Sequence, residues 1–202
     1  MTGTREMSRR KKALLTTLVV GVVVGLIVFG VFSAFSATTS NNNNQFSAGS
    51  VSISDNHSAS ALYDVSGATP GTSSTASCIK VTYSGSLAST VKLYRSAFTG
   101  GTGLDTYLNL AITKGTGNQT DCSDFTPASS GSSVYNSTLS GLGTSFGDAA
   151  AITLTNAGGS STWSSSDAVT YKFVASLPSN VSSSANGKVT GTHSFTWEAQ
   201  NN

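Results

Sequence analysis

Apolar and polar residues alternate in short runs along most of the chain, with the period of two that a half-buried β-strand requires. Val169, Tyr171, Phe173, Ala175 and Leu177 give the cleanest run, ended by Pro178. Ile79, Val81 and Tyr83 share a second face, and Leu87, Val91 and Leu93 a third, with a gap at Ser89. Leu108, Leu110 and Ile112 make a fourth, closed by Lys114-Gly115. Ahead of these, Phe46, Val51 and Ile53 predict an opening strand. Ala59, Ala61, Tyr63 and Val65 predict the next, followed by a turn at Pro70-Gly71. Ala151 to Thr155 reads as a short strand, and Val189, Phe195, Trp197 and Ala199 as the last one, reached through a Ser-rich crossing and Asn186-Gly187. Residues 115–133 read as a polar loop. Between 134 and 150 only Leu139, Leu142 and Phe146 suggest order, as a short helical turn. Short strands separated by turn residues predict an all-β domain, a two-sheet sandwich over residues 46–202.

The first 33 residues follow a different rule. Arg9, Arg10, Lys11 and Lys12 precede an apolar run from Ala13 to Phe32, interrupted only by Thr16, Thr17 and glycines. A basic cluster before an apolar run is the pattern of an export signal. Val31 and Ser33 stand where a signal peptidase reads its small residues, which places cleavage between Ser33 and Ala34. The run is also long enough to cross a bilayer core of about 30 Å, so a retained membrane anchor is the other reading. In both, the basic flank stays inside and the rest is exported. Residues 34–45 then form a flexible N-terminal segment, since Asn41, Asn42, Asn43 and Asn44 cannot build a core.

Charge narrows the function classes. Beyond residue 33 there are six basic residues against eight acidic ones, so the positive balance of the whole chain resides in its leader. A nucleic-acid partner is not expected, because phosphate binding needs clustered Lys and Arg. Contact with a membrane is expected only through the leader. Cys78 and Cys122 are the only cysteines, and in an exported domain an even pair invites a disulfide; two reduced thiols are the alternative.

Catalytic chemistry has little to stand on. His57 and His193 are the only histidines, and no His-Glu-x-x-His helix exists to hold a catalytic zinc. Gly-x-Ser-x-Gly in an elbow is missing, and Gly100-Gly101-Thr102-Gly103 lacks the Lys and helix of a phosphate cradle. Asp105, Asp121 and Asp124 read as solvated acids sooner than as calcium ligands. Asn56, Asn118, Asn136 and Asn180 each begin an Asn-x-Ser/Thr sequon. Neither cofactor nor catalytic residue is expected.

Several stretches carry a family resemblance. Gly30-Val31-Phe32-Ser33-Ala34-Phe35-Ser36, followed by Phe46-Ser47-Ala48-Gly49-Ser50-Val51, resembles the start of the TasA/camelysin family. Val65 to Pro70-Gly71 looks like that family's second-strand turn. Tyr171 to Pro178, then Gly187, then Phe195-Thr196-Trp197-Glu198-Ala199-Gln200, is similar to its closing strands. The resemblance implies a jelly-roll-like sandwich, released by a dedicated signal peptidase and built into biofilm-matrix fibres outside the cell. It also implies a donor strand at the mature N-terminus, which would be Ala34, Phe35, Ser36, Ala37, Thr38 and Thr39, with Asn41 to Asn44 as hinge. The expected partner is a neighbouring copy of the same chain. A monomeric surface binding module is the alternative, and a camelysin-like secreted metallopeptidase a remoter one.

Overall fold

The computed structural model describes residues 9–11, 13–20, 48–57 and 60–201. Residues 9–11 and 13–20 are helical, and no described helix is long and apolar enough to cross a membrane. The rest of the apolar run, the Ser33/Ala34 junction, the candidate donor strand Ala34 to Thr39 and the hinge Asn41 to Asn44 lie outside the described residues.

From Ala48 onward the chain forms one compact unit. Its strands are β1 (Ile53–Asp55), β2 (Ser77–Tyr83), β3 (Ser89–Arg95), β4 (Asn109–Thr116), β5 (Thr126–Pro127), β6 (Ser133–Thr138), β7 (Ile152–Thr153), β8 (Thr162–Trp163), β9 (Ala168–Ser176) and β10 (Phe195–Asn201). Three 3-10 turns punctuate them, at Leu104–Thr106, Leu139–Gly141 and Ser183–Ala185. One sheet runs β1-β2-β9-β4, with β5 and β6 sharing the far side of β4. The other centres on β3, flanked by β10 on one side and by the two-residue β7 and β8 on the other. Every pairing is antiparallel. The fold is therefore all-β, in two sheets around one core.

The core follows the alternation. Ile79, Val81 and Tyr83 of β2 meet Val91 and Leu93 of β3, Leu110 and Ile112 of β4, and Val169, Tyr171 and Phe173 of β9 in a single buried cluster. Burying each large side chain contributes on the order of 1.5–3 kcal/mol. The gap at Ser89 is itself inside: Ser89 is fully buried, and its hydroxyl lies 2.8 Å from that of Tyr83. Two polar groups placed together satisfy each other, which is why a serine can interrupt an apolar face without penalty.

Three expectations need correction. Residues 60–65 form no strand, despite the alternation of Ala61, Tyr63 and Val65. Ala61 and Val65 are exposed, and the Leu62 carbonyl is taken by the Ser77 hydroxyl at 2.5 Å, so no strand ladder captures the segment. Val189 lies outside the last strand. Its N–H donates to Thr102 Oγ1 and its carbonyl accepts from Thr102 N–H, and left-handed Gly187 and Gly191 bracket this stretch. Finally, the region from 115 to 150 holds more strand than its polarity suggests. β5, and β6 with its sequence Ser-Val-Tyr-Asn-Ser-Thr, are edge strands that need no apolar face of their own.

A groove beside an open sheet border

β10 pairs with β3 over seven consecutive residues without a register shift, and has no other strand partner among the described residues. The N–H of Ser96 donates to the carbonyl of Ser194 at 2.8 Å. In an antiparallel ladder the bonded residues alternate. Thr196, Glu198 and Gln200 therefore aim their backbone groups at β3, while Phe195, Trp197, Ala199 and Asn201 aim theirs outward. A regular, unpaired border of this length is a template for a further strand. The other borders are poorer templates: β1 has three residues, β7 and β8 two each, and β6 pairs across a register shift at Ile112/Thr113 that bends it.

Next to this border lies a cavity of about 530 Å³. Ile53 of β1 and Ile79 and Val81 of β2 form one wall, Phe195 and Trp197 of β10 the other, and Leu62 and Tyr63 close one end. The walls belong to opposite sheets, so the cavity is the unfilled margin of the sandwich core. Phe195 and Trp197 reach under β10 to Phe173, with ring centroids 5.2 and 6.0 Å away.

Polar groups share the lining, among them Asp55, His57, Tyr63 and His193, and they are unevenly satisfied. Tyr63 Oη and His193 Nε2 are 2.6 Å apart, and Phe98 and Phe195 pack edge-on to the imidazole. Burial is the main cause holding the His193 pKa below its ordinary value; the nearby Arg95 charge acts the same way, while the Gly191 carbonyl and Asp105 oppose it. Burial likewise pushes the Tyr63 hydroxyl upward. In contrast, Trp197 Nε1 and His57 Nδ1 are buried with no hydrogen-bond partner, and both residues line the groove. Natural cores leave few such groups, and each one asks for an explanation.

The sequence singles out the two histidines only as isolated residues, yet the fold brings them to one groove. They do not make a metal centre: among the described residues no group of three His, Cys, Asp or Glu is placed to hold an ion. The acidic loop is internally occupied, for Asp124 accepts the N–H groups of Asn118 and Gln119, and Asp121 that of Ser123. Those hydrogen bonds hold both carboxyls below their usual range. Gly101 faces the Thr190 carbonyl so closely that a Cβ would collide with it, which gives this Gly-rich loop a packing role.

Cys78 and Cys122 are joined in a disulfide, with Cα atoms 5.1 Å apart. It ties the loop after β4 to the start of β2, where Cys78 N–H also donates to the Thr120 carbonyl. Arg95 went unnoticed in the sequence because a lone arginine at a strand end carries no pattern. It is buried, donates to the carbonyls of Leu139, Ser140 and Ser96, and lies over the Phe98 ring at 4.2 Å.

No protein-family model matches this chain, and no curated protein is significantly similar to it.

Proposed function

We propose that this protein is an exported structural subunit that polymerises by strand addition. The observation that carries the reading is the outward-facing backbone of Phe195, Trp197, Ala199 and Asn201 beside a cavity of about 530 Å³ whose walls include Ile53, Ile79, Val81, Phe195 and Trp197. Main-chain pairing along such a border supplies affinity, and alternate side chains entering the cavity supply register. The occupant is residues 34–39 of a second copy. Six extended residues span about 20 Å, which matches the reach of β10 from Phe195 to Asn201. They carry no charged side chain and place Phe35 and Ala37 on one face. Asn41 to Asn44 give the chain its reach between neighbours.

In this reading the basic and apolar leader directs export. Cleavage by a signal peptidase between Ser33 and Ala34 frees the donor, and the sandwich is jelly-roll-like, as the resemblance to the TasA/camelysin family implies. The product is a fibre at the cell surface or in the surrounding matrix. The test is electron microscopy of mature protein beginning at Ala34 beside a variant lacking residues 34–39. Fibres from the first and a folded monomer from the second are expected. Fibres from both would remove the donor assignment, and a monodisperse mature protein with saturable ligand binding would favour a surface binding module.

A further inference from the structure

Four asparagines begin Asn-x-Ser/Thr sequons, and the fold treats them unequally. Asn56 commits both ends of its carboxamide: Oδ1 accepts from the Lys80 N–H at 2.7 Å, and Nδ2 donates to the Asn118 carbonyl at 2.9 Å. Asn118 accepts from Lys80 Nζ at 2.7 Å and donates its own N–H to Asp124 at 2.8 Å, in the loop that the disulfide ties to β2. Asn136 accepts from Asn109 Nδ2 at 2.9 Å, and its sequon lies wholly within β6, laddered to β4. Asn180 differs from all three. It is exposed, and its carboxamide makes no hydrogen bond among the described residues. It stands in a turn between β9 and β10, closed by the Val181 N–H donating to the Pro178 carbonyl at 3.1 Å.

We infer that Asn180 is a site of N-linked glycosylation, and that the sugar donor is a polyprenyl-phosphate-linked oligosaccharide on the outer side of the membrane. The inference rests on the export reading and is independent of how copies join. In the transfer, Asn180 Nδ2 forms a bond to the anomeric carbon of the sugar. The bond from that carbon to the lipid phosphate oxygen breaks, the phosphate leaves with the electron pair, and one amide proton passes to a base of the transferase. The transferase must draw the acceptor amide clear of the protein and read the hydroxyl two residues on. Neither demand disturbs ordered structure here. The Asn180 amide has no partner to lose, and the exposed Ser182 hydroxyl makes only local contacts, 3.2 Å from the Ser184 N–H and 3.2 Å from the Ser184 hydroxyl. The intervening residue is Val181, not the proline that a sequon forbids. At Asn56 and Asn118 the same reaction competes with bonds to Lys80 of β2, and at Asn136 the acceptor would have to leave a paired strand. Asn180 does not line the groove and lies outside β10, so a sugar on it takes up no backbone group of that border.

The test is peptide mass mapping of the full chain recovered from outside its own host's cells. The peptide containing Asn180 should carry the added mass of an oligosaccharide, while those containing Asn56, Asn118 and Asn136 should have the mass of their sequence. Asn180→Gln, which removes no hydrogen bond and so leaves the fold intact, should lose the added mass. Ser182→Ala should lose it too, and Ser182→Thr, which keeps the hydroxyl, should retain it. An exported wild-type chain whose Asn180 peptide has its unmodified mass overturns the assignment and leaves export and assembly standing. An added mass on that peptide that survives Asn180→Gln or Ser182→Ala overturns it equally. A chain that never leaves the cell overturns the export reading and this inference together.

Discussion

Tyr63 and His193 meet at 2.6 Å across 130 residues of chain, joining the segment after β1 to the foot of β10. No strand pairing holds that segment, so this contact, with the Ser77–Leu62 hydrogen bond, closes one end of the groove. The neutral imidazole is the form burial favours.

Stability should therefore depend on pH through His193. Its folded pKa lies below the unfolded value of 6.5, so the unfolded chain binds more protons as the pH falls through that window. The stabilisation is complete above pH 6.5 and is lost as the medium acidifies below it. Thermal melts between pH 7.5 and 5 should show a falling Tm, and His193→Phe should flatten that slope. An unchanged slope in the variant would remove His193 as the source.

Much of this architecture is legible from period alone. β2, β4 and β9 announce themselves because each is paired on both sides and turns a run of apolar residues into the core: Ile79, Val81 and Tyr83; Leu110 and Ile112; Val169, Tyr171, Phe173 and Ala175. Edge strands are different: β6 pairs on one side, keeps polar residues on both faces, and looks like loop. The stretch from Ala61 to Val65 errs in the opposite direction, since alternation reports compatibility with a strand and says nothing of whether a free border is in register. The groove was invisible for a related reason. It is formed by residues from β1, β2 and β10 that are distant in sequence, and its significance lies in an unpaired border, a property of the ladder and not of any residue.

Arg95 should prove a structural residue. Its guanidinium donates to three carbonyls where β3 gives way to the following loop and where the Leu139–Gly141 turn passes. Arg95→Ala strips those carbonyls of donors in a buried setting and should cost about 3 kcal/mol. Urea denaturation measures it directly. A cost below about 0.5 kcal/mol, the range of ordinary surface substitutions, would contradict the assignment.

The Cys78–Cys122 disulfide closes a loop with a sequence separation of 44. Chain-entropy arguments give such a crosslink about 4 kcal/mol. Cys78→Ser with Cys122→Ser should lower the denaturation midpoint accordingly, without disturbing the β10 border, which lies on the other sheet. Retention of assembly in the double variant, at temperatures where it stays folded, is the expected result.

Phe35→Ala should weaken assembly more than any other single change in residues 34–39, because it removes the only large apolar group available to the groove. The loss should be about 2–3 kcal/mol, or roughly 30- to 150-fold in critical concentration. Sedimentation of the variant against the wild type reads it. An effect no larger than that of Ser36→Ala would deny Phe35 its place as anchor.

The most direct measurement blocks the border itself. Ala199 turns its N–H outward, so proline there removes one hydrogen bond available to a newcomer and none from the β10–β3 ladder, as edge strands tolerate. Mature Ala199→Pro, compared with wild type by electron microscopy and circular dichroism, should keep its β spectrum and form no fibres. Fibres of normal abundance from the folded variant would contradict the claim that β10 is where copies join.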